Sequence, residues 1–88
     1  MAKRSKLDII RDILKIVQDN HNIKYTPLLR RSNISSSNFK QYFADLLEKE
    51  FVQQTSRGKN KYVILTEKGS RFLEKYKTIL GFIDEFGL

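Results

Sequence analysis

Hydroxyl, amide and ammonium groups crowd into one short stretch of this 88-residue chain: Ser35, Ser36, Ser37 and Asn38, followed at once by Lys40 and Gln41. Side chains of these types hydrogen-bond phosphate oxygens and base edges; lysine can reach guanine, and glutamine can pair with adenine. A second group, Arg57, Gly58, Lys59, Asn60 and Lys61, sets three cations within five residues. Arg30 and Arg31 form a third cluster just ahead of the serines. Enzyme chemistry finds no comparable frame. The serines lack a GxSxG setting and a partner base, no glycine-rich loop could cradle a phosphate, and the carboxylates are dispersed among basic residues. The chain is therefore not expected to be an enzyme.

The charge is concentrated at these groups. No acidic residue lies between Asp19 and Asp45, where Lys24, Arg30, Arg31 and Lys40 fall, or between Glu50 and Glu67, where Arg57, Lys59 and Lys61 fall. Those seven cations equal the whole net charge of +7, and the remainder of the chain is formally neutral. A localised excess of this kind suits a polyanionic partner better than a general solubilising coat does. With no cysteine and a single histidine, His21, disulfides are excluded and no metal site or cofactor is expected. No apolar run approaches the roughly 20 residues of a membrane span. The opening ten residues turn amphipathic at once, so no membrane association is expected, and a cytoplasmic location follows by default.

The elements that must position these residues are legible as periodicities. Residues 1–6 read as a short basic arm. Ser5 and Asp8 resemble a capping box, and Leu7, Ile10, Ile13, Leu14 and Val17 then repeat at helical spacing to about Gln18. Ile23, Lys24 and Tyr25 suit a short extended piece. Thr26 and Pro27 read as N-cap and first residue of a short helix, Pro27 to Arg31, with Leu28 and Leu29 inward and both arginines outward. Ser35 then caps the central helix, Ser35 to Glu50. Its apolar stripe, Phe39, Phe43, Leu46 and Leu47, turns Ser37, Gln41, Ala44 and Glu48 to the opposite face. Phe51 to Thr55 and Lys61 to Leu65 have strand composition, and the five residues between them, with Gly58 and Asn60 supplying positive φ, predict a hairpin with a basic tip. Thr66 caps a last helix whose Phe72, Tyr76, Ile79, Ile83 and Phe86 form a packing seam.

The chain is large enough for one core, and 40% hydrophobic with 31% charged residues predicts a folded protein. Within it, residues 1–66 are expected to form the basic binding unit and residues 67–88 a C-terminal helix. Its end, from Thr78, is too apolar to stand in water. Tyr76, Ile79, Leu80, Ile83 and Phe86 are the candidates for pairing it with a second copy; folding back on its own domain is the alternative. Plainer roles compete elsewhere too. Tip cations can keep a sheet edge soluble, Ser36 and Ser37 lie where capping alone would suffice, and Phe39, Tyr42 and Tyr62 fit core packing better than base stacking.

The order helix, short strand, helix, turn, helix, hairpin, helix is that of an α+β winged helix-turn-helix. Ile34 to Phe43, then Leu46-Leu47-Glu48-Lys49, then Leu65-Thr66-Glu67-Lys68-Gly69 resemble the small archaeal winged-helix DNA-binding proteins, transcriptional regulators and nucleoid proteins among them. The resemblance covers about Leu7 to Tyr76. It implies double-stranded DNA as partner, with Ser36, Ser37, Asn38, Lys40 and Gln41 on a recognition helix in the major groove. Arg30 and Arg31 would flank it, and Arg57 to Lys61 would form a wing on the backbone or minor groove. It also implies a homodimer joined through the last helix. Glu50 stands where many such sequences have glycine, so the recognition helix is expected to end without the easiest left-handed cap. Two other readings keep the fold: a protein-interaction winged helix with an acidic partner, and an RNA-binding one.

Overall fold

A computed structural model describes residues 5–88, so most of the expected basic arm lies outside the described residues. Helix α1, Lys6–Asn20, opens with the expected capping box: Ser5 Oγ accepts the Asp8 N–H at 3.1 Å and Asp8 Oδ2 accepts the Ser5 N–H at 3.2 Å. Its stripe buries Ile10, Ile13, Leu14 and Val17, while Leu7, the first apolar residue of that stripe, stays exposed. The helix runs past Gln18 to Asn20 and stops at His21, whose φ is 56°.

Helix α2, Tyr25–Ser32, starts two residues before the expected Pro27. Leu28 N–H bonds Lys24 O at 3.1 Å, which opens the helix at Lys24 and puts Pro27 in the first turn, where a missing N–H costs nothing. The reason is tertiary. The Tyr25 ring packs edge-on against Phe39 and Phe43, at 5.2 Å from each, and draws its backbone into the helix. The extended piece expected at residues 23–25 shrinks accordingly to Ile23, which pairs with Val63.

Asn33, in the left-handed region at φ 59°, begins a three-residue turn into α3, Ser36–Glu48. Ser35 caps it, accepting the Asn38 N–H at 3.3 Å. Phe39, Phe43 and Leu46 enter the core. The helix ends earlier than Glu50, and a left-handed cap forms there without glycine. Glu50 takes φ 62°, its N–H bonds Leu47 O at 3.1 Å, and Phe51 N–H bonds Leu46 O at 2.9 Å. These two bonds make a Schellman closure with glutamate in the position that favours glycine.

Strands β1, Val52–Arg57, and β2, Asn60–Leu65, pair antiparallel from Val52 opposite Leu65 to Arg57 opposite Asn60. The hairpin is thus longer than expected and its turn shorter, Gly58 and Lys59 alone. Of the turn residues only Gly58 has positive φ, 61°, the pattern of a type II′ turn; Asn60 joins the ladder instead. Helix α4, Glu67–Phe86, is capped by Thr66, which accepts the Gly69 N–H at 3.0 Å and donates to Glu50 O at 2.6 Å. One core joins α1 to α3, Ile23 and the hairpin base: Ile13, Leu14, Val17, Leu28, Phe39, Leu46, Val52 and Val63 are almost wholly buried.

Helix α4 docks only by its first half. Phe72 meets Phe51 at 5.4 Å and Tyr76 stacks on Phe72 at 6.1 Å. The Tyr76 hydroxyl donates to Asp8 Oδ1 on α1. That bond, with help from Ser5, holds the Asp8 carboxyl below its ordinary value of 3.8, and it raises the Tyr76 phenol above its ordinary 10.0. From Lys77 onward every residue is exposed, and the helix carries the molecule to a longest extent of 49 Å against 28 and 21 Å across.

Candidate nucleic-acid interface

Burying Phe39, Phe43 and Leu46 fixes the rotation of α3, because a 100° step per residue leaves one face for solvent. Ser36, Ser37, Asn38, Lys40 and Gln41 are all exposed. Ser35 Oγ and Ser37 Oγ lie 3.5 Å apart beside the helix N-terminus, where the dipole favours an anion. Asn38 and Gln41 stand on one rim of an open groove of about 740 Å³ whose other wall is the start of α1, with Lys6 and Ile9; the half-buried Tyr42 ring lines it too. The two halves of α3 differ in charge. Lys40 belongs to the first, whereas the second carries Asp45 and Glu48, with Asp45 bridged to Lys49 at 3.2 Å. A polyanion is therefore better received at the N-terminal half.

At the tip of the hairpin, Arg57, Gly58, Lys59, Asn60 and Lys61 are exposed. Strand alternation spreads the cations around the tip. Lys61, opposite Ser56, extends the face that carries buried Val52 and Val63; Arg57, opposite Asn60, lies on the other face with Thr55 and Tyr62; Lys59 sits in the turn. Among the described residues none of the three has a carboxylate within ion-pair distance, nor do Arg30 and Lys40.

The arginine pair is divided. Arg30 and Arg31 are both exposed, as expected, but Arg31 also donates to Asn20 Oδ1 while Asn20 Nδ2 donates to Ile16 O at 2.6 Å. Arg31 thereby ties α2 to the end of α1. Lys24, absent from the expected site, is placed beside the wing, its ammonium 5.9 Å from the centre of the Tyr62 ring. Its position in the acid-free window was the only trace of this in the sequence. On α4 the apolar group also divides. Tyr76 is occupied by α1, whereas Ile79, Leu80, Ile83 and Phe86 are exposed, Phe86 to 61%, together with Phe82 and Leu88.

Three helices, a tight turn between the second and third, and a hairpin followed by a docked fourth helix define a winged helix-turn-helix protein. The winged helix-turn-helix family model matches residues 3–83, and the chain belongs to that family. An uncharacterized protein of the archaeon Methanocaldococcus jannaschii is 35% identical over 82 residues, which are 93% of this chain and 36% of that protein. The chain thus spans about a third of that relative's length. Among solved structures, Sso10a-2, a DNA-binding protein from Sulfolobus solfataricus, superposes with a TM-score of 0.75 at 17% identity, covering 94% of this chain and 85% of its own. A winged-helix DNA-binding protein from STIV gives 0.70 at 15% identity, covering 89% and 91%. At such identities the superpositions establish the common fold.

Proposed function

We propose that the chain binds double-stranded DNA as a homodimer, as a transcriptional regulator or a small nucleoid-type protein. The observation that carries this reading is the exposed N-terminal half of α3, where Ser36, Ser37, Asn38, Lys40 and Gln41 surround a capped helix start with no acidic side chain among them. In this reading α3 enters the major groove, Lys40 and Gln41 meet base edges, and the serines and Asn38 hold phosphate. Arg30 grips the flanking backbone, and Arg57, Lys59 and Lys61 clamp phosphates from the wing. The exposed Ile79, Leu80, Ile83 and Phe86 of one α4 pair with the same residues of a second copy.

Binding to random-sequence duplex over a salt series tests it. The four cationic phosphate contacts per protomer, eight per dimer, would lower affinity roughly ten-thousandfold between 50 and 200 mM salt. Arg57→Ala and Lys59→Ala should each weaken binding about equally for all sequences and flatten the salt dependence, while Gln41→Ala should change sequence preference. A preference for duplex RNA, or no binding to either at low salt, would sink the proposal; the latter would favour an acidic protein partner.

A further inference from the structure

We propose that Lys24 is a further phosphate-binding residue, carried to the wing by the Ile23–Val63 pairing and held over the wing surface by Tyr62, which acts as its positioning residue. The proposal rests on the DNA-binding reading and extends its contact surface from the hairpin tip to the far edge of the sheet. Ile23 exchanges both backbone hydrogen bonds with Val63, at 3.4 and 2.7 Å, so the backbone just before Lys24 is pinned to β2. Antiparallel register then sets Lys24 beside Tyr62, and Tyr62 lies opposite Thr55. The next pair on that same face is Arg57 with Asn60. Ile23 and Val63 point into the core, so alternation turns Lys24, Tyr62 and Arg57 to the opposite, solvent side.

Lys24 has no other visible duty. It occupies the N-cap position of α2 without a side-chain capping bond, and among the described residues no carboxylate lies within ion-pair distance of it. Its ammonium instead lies 5.9 Å from the Tyr62 ring centre, which restrains the long side chain on the wing face while leaving its three donors free. By ordinary strand spacing its Cα stands about 12 Å from that of Arg57, two strands over and one row along. Duplex DNA carries a charge for every 1.7 Å of axis, so two cations at this separation can reach different phosphates.

The test uses the full chain, a labelled random-sequence duplex and a salt series. Lys24→Ala should reduce the slope of log affinity against log salt by about 0.9 for each protomer's lost contact, independently of sequence, and Lys24→Arg should preserve it. Tyr62→Phe, which keeps a ring, should bind as wild type. Tyr62→Leu should weaken binding, but add nothing further in a Lys24→Ala background, because its effect passes through the lysine. If Lys24→Ala leaves the slope unchanged while Arg57→Ala lowers it, this inference fails and DNA binding stands. If Tyr62→Leu has its full effect without Lys24, the positioning role fails. Absence of salt-dependent duplex binding by the wild type overturns both readings.

Discussion

Glu50 carries a backbone conformation that its side chain does not favour. At φ 62° an L-residue bears a cost of about 1–2 kcal/mol, yet the Schellman bonds to Leu46 and Leu47 and the Thr66 hydroxyl on Glu50 O demand that conformation. Glu50→Gly removes the strain and adds roughly 0.5–1 kcal/mol of backbone entropy cost. Relief of strain outweighs that entropy, so the variant should gain up to about 1 kcal/mol, read as a Tm increase of roughly 4–8 °C. The Tyr76–Asp8 bond makes a second prediction at this scale. The Asp8 pKa is lowered on folding, so its stabilisation is complete above 3.8 and is lost as pH falls through the lower folded value. The Tyr76 pKa is raised, so its stabilisation is complete below 10.0 and is lost as pH rises through the higher folded value. Thermal melts of Tyr76→Phe against pH should lose the Tyr76 contribution and the share of Asp8's that this bond supplies, Ser5 keeping the rest, converging on wild type at the acid and alkaline extremes and lying below it between them.

Helix α4 is placed on the hairpin through a glycine. A Cβ at Gly69 would stand 2.3 Å from Phe51 O and 2.7 Å from Leu65 Cδ1, so α4 approaches the hairpin base only because that atom is absent. Helix propensity favours alanine over glycine by about 1 kcal/mol, but forcing backbone apart in a packed region costs roughly 1–3 kcal/mol. Gly69→Ala should therefore lower the Tm. Gly81, further along the same helix, meets nothing within 4 Å, and Gly81→Ala should raise helix stability by about 1 kcal/mol. Opposite signs for one substitution at two positions of α4 would establish the close approach, and a raised Tm for Gly69→Ala would refute it. Propensity arguments alone predict the same sign at both.

The whole molecule exposes two unlike kinds of surface. The wing and the start of α3 are cationic and polar; the end of α4 is apolar, with six large side chains, Ile79, Leu80, Phe82, Ile83, Phe86 and Leu88, facing water. Removing each from water is worth roughly 1.5–3 kcal/mol, enough in a symmetric pair to outweigh the cost of association. Sedimentation equilibrium should give twice the 10.4 kDa chain mass for the wild type and the single mass for Ile83→Asp. A monomeric wild type, or a variant of unchanged mass, would remove the proposed interface. Gly81→Ala separates the functions of this helix: stabilisation with weakened pairing would mean that two backbones meet at that glycine.

The amino-acid sequence by itself determined the order of the helices and the hairpin, the caps at Ser5, Ser35 and Thr66, the buried faces of α1 and α3, and the family. The family came from the resemblance of Ile34 to Phe43 and Leu65 to Gly69; each of the others follows from a period of 3.6 or 2, or from a side chain bonding backbone three residues away, and such signals need no knowledge of distant neighbours. The tertiary structure alone decided what distant neighbours control. Tyr25 was drawn into α2 by Phe39 and Phe43, Arg31 was taken up by Asn20, and Lys24 was brought to Tyr62 through the Ile23–Val63 pair. Glu50 was held left-handed by Thr66 and the bonds that close α3. Apart from the local bonds that close α3, the deciding contacts join residues far apart in the chain. Local propensity, worth tenths of a kcal/mol per residue, yielded to packing and hydrogen bonding worth one or more.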